Sequence, residues 1–343
     1  QRQMCIRDRD FLTKVSPVIY APDADCPRWR TFITEIMQGD KARADYLQKA
    51  IGYSLTGDTR MECLFILYGP TSRNGKGTTM ESILRIMGEY GKNADPTMLQ
   101  AKFNSQSGGP SEEIARLAGS RFVNISEPEK KITLDAALTK RLTGNDTITA
   151  RYLHENSFEF RPNFKIFINT NHRPNITDLT LFESGRIKII PFDRHFEENE
   201  QDKDLKSTFA KPENMSGILN WMLEGYKLFR SQGLAMPDSV VQATTDYQIF
   251  SDKMGQFFDE CIEEKEGCEL RRGAVYTRYK EWCGENGYRA EAAKNLNQEI
   301  EKRYKTARKR PNDGASSSTT PMVLDVAFTA SEESKEDFAP LTS

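Results

Sequence analysis

The chain has 343 residues, 37% of them hydrophobic and 29% charged, with a formal net charge of −2. That length predicts two or three domains, and apolar segments such as CLFILY and FKIFIN are long enough to build cores. The near-neutral balance excludes a global basic field, so any nucleic-acid surface has to be local. Six scattered cysteines with no C-x-x-C pair argue against zinc and fit a reducing cytoplasm.

No apolar run approaches the roughly 18 residues of a membrane span, and the start is not a signal peptide. Residues 1–9, QRQMCIRDR, read as a non-native, adapter-like leader of a fragment that lacks its natural N-terminus. Residues 10–60 read as a helical domain. RWRTFITEIMQ sets Trp29, Phe32, Ile33 and Ile36 on one face, and ADYLQKAIGYSL does the same with Tyr46, Leu47 and Ile51. The period then changes. CLFILYG is a continuous apolar run, as expected for a buried parallel strand, and TTMESILRIMGEYG carries a helical stripe closed by glycine. RFVNIS, FKIFINTN and RIKIIPF are further buried strands, so residues 61–197 predict an α/β core with a mainly parallel sheet. Between the second and third of these four strands, DTITARYLHENSFEFRPN reads as a β-hairpin turning at Glu155-Asn156. Residues 198–237 form a helical lid or linker around GILNWMLEGYKLFRSQG, ended by Pro237. Residues 238–325 hold three helical patterns, KMGQFFDECIEE, GAVYTRYKEWCGENG and AAKNLNQEIEKRY. The third runs into the basic stretch KRYKTARKR, and residues 326–343 read as a disordered tail. MVLDVAF stands out as a final strand at the start of that tail.

Between the first apolar strand and the helix after it lies GPTSRNGKGTT. A phosphate-binding loop is usually spelled G-x-x-x-x-G-K-[ST]. Here Gly69 and Gly75 enclose Pro70, Thr71, Ser72, Arg73 and Asn74, five residues instead of four. Gly77 follows Lys76, so the first hydroxyls come late, at Thr78 and Thr79. Strand, glycine loop and helix supply backbone N–H groups and a helix N-terminus for phosphates, with Lys76 reaching the terminal ones. A glycine-rich turn with a chance Gly-Lys is the competing reading. A nucleotide hydrolase also needs a carboxylate at a strand end for Mg²⁺ and the attacking water. FVNISEPE offers Glu127 and Glu129, one for the metal-bound water and one as base, with the assignment open; a solvated acidic turn is the plainer reading. Asn171, at the polar end of FKIFINTN, is placed to orient the water, although Asn-His-Arg-Pro is also good turn chemistry. Arg186 before the last strand is either an arginine finger or a strand-flanking charge.

LFILYGPTSRNGKGT, NISEPE, LTKRLTGNDTITARYLHENSFEFRP, KIFINTNHRP and GRIKIIPF, in this order, resemble superfamily 3 helicases. The nearest likeness is the phage and plasmid primase–helicase type, related to the poxvirus primase–helicase. The resemblance covers about Ala21 to Arg310. It implies an AAA+-like core and a ring, of hexamer type, that uses ATP and Mg²⁺. Such a ring moves 3′ to 5′ on single-stranded or forked DNA during replication of a phage, plasmid or virus-like element in the host cytoplasm. Carried over by motif, the loop from Gly69 to Thr79 binds nucleotide, Thr78 and Glu127 serve the metal, and Glu127 with Glu129 completes the water site. Asn171 becomes the strand-end sensor, and Arg186 the finger reaching a neighbouring subunit. The hairpin becomes the DNA-tracking element, with Arg151 and His154 near its tip and Lys140 before it. The C-terminal segment resembles a winged helix whose Lys305, Arg308 and Lys309 meet phosphates. The chain departs from the pattern in the missing hydroxyl at Gly77, in the longer loop, and in Gly185, where relatives show a first arginine. A primase domain or polypeptide is an expected partner. The competing functions are a DNA-binding origin module with a decayed ATPase and, because GKGT also occurs in nucleoside monophosphate kinases, a nucleotide kinase.

Overall fold

The computed structural model describes residues 14–101, 112–126, 132–288, 290–309 and 319–329. The chain divides into two compact units, Gln1–Ser251 and Asp252–Ser343.

In the first unit, α1 (Pro27–Ile36) starts on a proline, which costs nothing where the helical N–H has no partner. In α2 (Lys41–Tyr53), the Asp40 carboxylate caps the first turn by accepting from the Arg43 amide at 2.9 Å. There follow β1 (Leu64–Tyr68), α3 (Lys76–Met87), β2 (Gly91–Ala94), α4 (Glu112–Ala115), β3 (Phe122–Ser126) and α5 (Ala136–Thr143). Next come β4 (Ile148–Ala150), β5 (Phe158–Phe160), β6 (Lys165–Thr170), α6 (Thr180–Glu183) and β7 (Ile187–Pro191). The unit closes with α7 (Leu205–Phe209), α8 (Pro212–Gln232) and α9 (Asp238–Ser251).

Five strands form one parallel sheet in the order β2-β3-β6-β1-β7. Both faces are covered, which is why β1, β3, β6 and β7 read as apolar runs. Phe65, Phe122 and Phe167 stack across three neighbouring strands, with ring centroids 4.8 Å apart in each pair, and join the core shared with α1, α2, α3 and α8. Leu64, Ile66, Val123, Ile125, Ile166 and Ile168 face the second core with the β4–β5 hairpin. Helices α2 and α8 cross backbone to backbone. A Cβ on Gly52 would stand 2.2 Å from the Tyr226 amide nitrogen, and one on Gly225 would stand 2.1 Å from the Gln48 carbonyl oxygen. An N-terminal strap, residues 14–24, ties the end of α3 to α8. Ser16 Oγ donates to the Ile86 carbonyl at 2.7 Å, and Asn220 Nδ2 donates to the Ala21 and Ala24 carbonyls.

The sequence-based segments 10–60, 61–197 and 198–237 pack as this single unit. The expected boundary after Pro237 moves to Ser251, because α9 packs on edge strand β7. There the Thr244 hydroxyl accepts the outward Ile189 amide at 3.1 Å, satisfying an edge that would otherwise be open. Strand β2 escaped the sequence reading, since four half-exposed residues carry no periodicity.

The second unit contains α10 (Lys253–Cys261), β8 (Ile262–Arg271), α11 (Arg272–Glu285), α12 (Ala293–Arg303), β9 (Thr306–Lys309) and β10 (Thr320–Phe328). Its sheet order is β8-β10-β9. Helix, strand, two helices and a β-ribbon make the expected winged helix, around Phe257, Tyr279, Trp282 and Ile300. The pattern KMGQFFDECIEE is helical only to Cys261, and the acidic stretch after it pairs with β10 as a strand. Strand β10 runs to Phe328, past the start assigned to the tail. Among the described residues no helix is long and apolar enough to cross a membrane.

Candidate functional site

Parallel strands place the ends of β1, β3 and β6 at one edge of the sheet, side by side. The glycine loop leaves β1 at this edge and turns into α3. Gly69 is obligatory there, because a Cβ would meet the Asn74 amide at 2.3 Å and the Phe192 carbonyl at 2.4 Å. Arg73 and Gly75 both have left-handed backbones, φ 57° and 87°, on either side of Asn74. Such alternation turns successive N–H groups toward one concavity, the form of an anion nest. Buried Asn74 fixes the turn by donating to the Thr71 carbonyl at 2.6 Å.

Lys76 opens α3 and is buried. Its ammonium donates to the Gly69 carbonyl at 3.3 Å and to Asn171 Oδ1 at 2.6 Å. The structure therefore brings together the loop lysine and the strand-end asparagine, ninety-five residues apart in sequence. Thr79 donates back to the Gly75 carbonyl at 2.9 Å and is buried, whereas Thr78 faces a cavity beside the loop. A Cβ on Gly77 would meet nothing within 4 Å, so the residue beside Lys76 stands in open space. Glu127 and Glu129 lie outside the described residues; the strand that leads to them, β3, ends next to β6 at the site edge.

The cavity has a volume of about 280 Å³, near the lower end for small-ligand sites at ~300 Å³. Phe32 of α1, Phe196 and Leu205 give it apolar walls, while Arg28, Arg73 and Gln201 supply polar edges. The stretch after β7 holds the loop from this side. The Phe196 amide donates to the Arg73 carbonyl at 2.9 Å, and His195 Nδ1–H donates to the Ser72 carbonyl at 2.9 Å. The sequence reading singles out neither His195 nor Phe196. The only signal is that RHF comes shortly after an apolar strand, β7.

Arg186 lies elsewhere. Leu64 pairs with Ile187, so Arg186 sits at the opposite edge of the sheet from its own loop, ~16 Å away at ~3.3 Å per residue. Its guanidinium donates to Glu62 Oε2 at 2.7 Å and to Thr143 Oγ1 at 2.9 Å, and its side chain is 16% exposed.

The hairpin forms as β4 and β5, shorter than its sequence pattern, with Arg151 and His154 exposed at the tip. His154 has φ 64°. Tyr152 anchors the tip by stacking on Phe158 at 5.7 Å and donating to the Ala115 carbonyl at 3.1 Å. Lys140 is engaged with Asp178 at 2.9 Å and with Thr180 Oγ1 at 2.7 Å. In the second unit Lys305, Arg308 and Lys309 are exposed, and Lys309 pairs with Glu269 across the sheet.

Two family models match the chain: the poxvirus D5 protein-like family over residues 250–330 and a family of unknown function, DUF5906, over residues 67–186. The chain is 28% identical over 269 residues to "Putative helicase L207/L206" of Acanthamoeba polyphaga mimivirus, covering 73% of this chain and 28% of that protein. It is 26% identical over 272 residues to "Putative helicase 022R" of Frog virus 3, covering 74% of this chain and 28% of that one. The resemblance to superfamily 3 helicases of the primase–helicase type is borne out. In fold, the chain is similar to the apo C-terminal region of NrS-1, with a TM-score of 0.55 and 12% identity, over 91% of this chain and 79% of that one. The chain thus spans under a third of the length of the curated relatives it matches.

Proposed function

We propose that the first unit binds and hydrolyses ATP, and that the protein uses this as a ring-forming DNA helicase in viral or plasmid-type replication. The observation that carries the reading is the contact between Lys76 Nζ and Asn171 Oδ1 at the open edge of a parallel sheet. It sets a phosphate-binding cation beside a group able to orient water, at the mouth of an anion nest. The relatives named as helicases support the replicative role.

On this reading the loop amides and Lys76 hold the β- and γ-phosphates, and the cavity bounded by Phe32 and Leu205 receives the nucleoside. Asn171 orients the attacking water. Mg²⁺ would be held by Thr78 and Glu127 and would neutralise charge developing on the phosphates. Arg186, remote from its own loop, serves only as a finger for an adjacent subunit. Arg151 and His154 track single-stranded DNA, Lys140 supports the hairpin base, and Lys305, Arg308 and Lys309 contact backbone phosphates. Movement is 3′ to 5′, a primase is the natural companion, and the protein acts in the host cytoplasm.

ATP turnover with and without single-stranded DNA tests the reading. Wild type should hydrolyse ATP faster with DNA, and Lys76→Ala should lose about 10²-fold or more. DNA binding without hydrolysis would leave only the origin-binding module, and turnover confined to a nucleoside monophosphate acceptor would make it a kinase.

A further inference from the structure

The turn after β6 carries a feature that phosphate binding does not use. Arg173 follows Asn171 by two residues, and its guanidinium carbon lies 5.0 Å from the ring centre of Tyr68. It also lies 5.2 Å from that of Phe250 and 5.6 Å from that of Tyr247. Tyr68 ends β1 and directly precedes Gly69 of the loop. Tyr247 and Phe250 belong to α9. Tyr247 is buried, and its hydroxyl donates to the Pro174 carbonyl.

The turn 171–174 is thus gripped from two directions. Asn171 holds the loop lysine on one side, while Arg173 and Pro174 hold α9 on the other. A planar guanidinium can lie against several rings at once, which a compact ammonium does less well. Rings give way without leaving a buried charge unpaired, so such a joint can loosen and re-form as the turn shifts.

We propose that Arg173 is a positioning residue for nucleotide hydrolysis and that, with Tyr247, it couples the nucleotide site to α9. The inference rests on reading the site as an ATPase. Removing the guanidinium frees the turn that aims Asn171, and misplacement of an aligned group by about 1 Å costs up to ~10²-fold in rate. A residue that merely stiffened the turn would lower the melting temperature and leave the turnover of folded molecules alone.

The test uses the full chain as wild type, Arg173→Ala, Arg173→Lys and Tyr247→Phe. Turnover number and KM for ATP are measured, together with amide hydrogen exchange across residues 238–251 with and without a non-hydrolysable ATP analogue. Arg173→Ala should lose about tenfold or more in kcat, with KM changed much less, and Arg173→Lys should recover part of the loss by retaining the cation. The analogue should slow exchange in α9 of wild type and fail to do so in Arg173→Ala. Wild-type turnover in Arg173→Ala, or equal α9 responses in the two proteins, would overturn the proposal. If Arg173→Ala does not fold, Tyr247→Phe decides: reduced kcat and a weaker α9 response support coupling, and no change in either overturns it. A wild type that neither binds nor hydrolyses ATP overturns the ATPase reading and this one together. Normal wild-type turnover with an indifferent Arg173→Ala overturns this one alone.

Discussion

Lys165 shows how a residue can matter to the fold without any sign in the sequence. It stands at the start of β6, almost wholly buried, and donates to the Thr56 carbonyl at 2.5 Å with the Tyr53 ring 4.3 Å away. Burial pulls its pKa from 10.5 down to about 7, against the opposing pull of Asp58. Between these values the unfolded chain holds the proton and the folded chain does not, so stability rises with pH through the window from about 7 to 10.5. Relative to Lys165→Met, wild type should gain up to roughly 4 kcal/mol between neutral pH and pH 10. Urea denaturation of both proteins across that range checks this, and a constant difference would refute it. In sequence FKIFIN is simply an apolar strand, because a lysine's burial depends on the Tyr53 ring at the end of α2 and the Thr56 carbonyl just beyond it. Lys76 and Asn171 were legible for the opposite reason. Their roles follow from position, just after or at the end of an apolar strand, and a parallel sheet then brings strand ends together without help from composition.

At the scale of elements, apolar runs are readable and polar ones are not. β1, β3, β6 and β7 declare themselves by continuous hydrophobicity, whereas β2 and β8 are strands only because a neighbour pairs with them. Helix α9 hides for a similar reason. Its buried side chains are few, Val240, Tyr247 and Ser251, and part of its task is the Thr244 hydroxyl on the edge of β7. The hairpin is legible in the sequence, but its tip is set by His154 in the left-handed region, a conformation few non-glycine residues adopt and histidine tolerates better than most. Exposed Arg151 beside it gives a direct prediction for the proposed DNA path. Arg151→Gln should weaken single-stranded DNA binding and lower the slope of log affinity against log salt by about 0.7. Fluorescence anisotropy over a salt series measures both, and an unchanged slope would take Arg151 out of the path.

Across the whole molecule, the direction of the sheet separates two tasks. One edge of the first unit carries the loop, and the other carries Arg186 clasped by Glu62 and Thr143. If the proposed ring forms, each subunit holds one half of two different sites. Mixed Lys76→Ala and Arg186→Ala subunits should then regain activity that neither shows alone, and failure at every mixing ratio would remove completion in trans. Arg186→Ala should also cost about 1 kcal/mol of stability by taking a hydrogen bond from buried Thr143, so the mixture is assayed well below the melting temperature. The crossing of α2 and α8 has a different consequence, and it concerns inheritance. At Gly52 and Gly225 a methyl group would need space already occupied by backbone, which no rotamer change can clear. Either position changed to alanine should unfold the first unit or force the helices apart. A library of all single substitutions selected for soluble protein should therefore show positions 52 and 225 fixed, amid tolerant neighbours such as exposed Lys227. Descendants of this chain would drift around two immovable points in its scaffold, both outside the glycine loop.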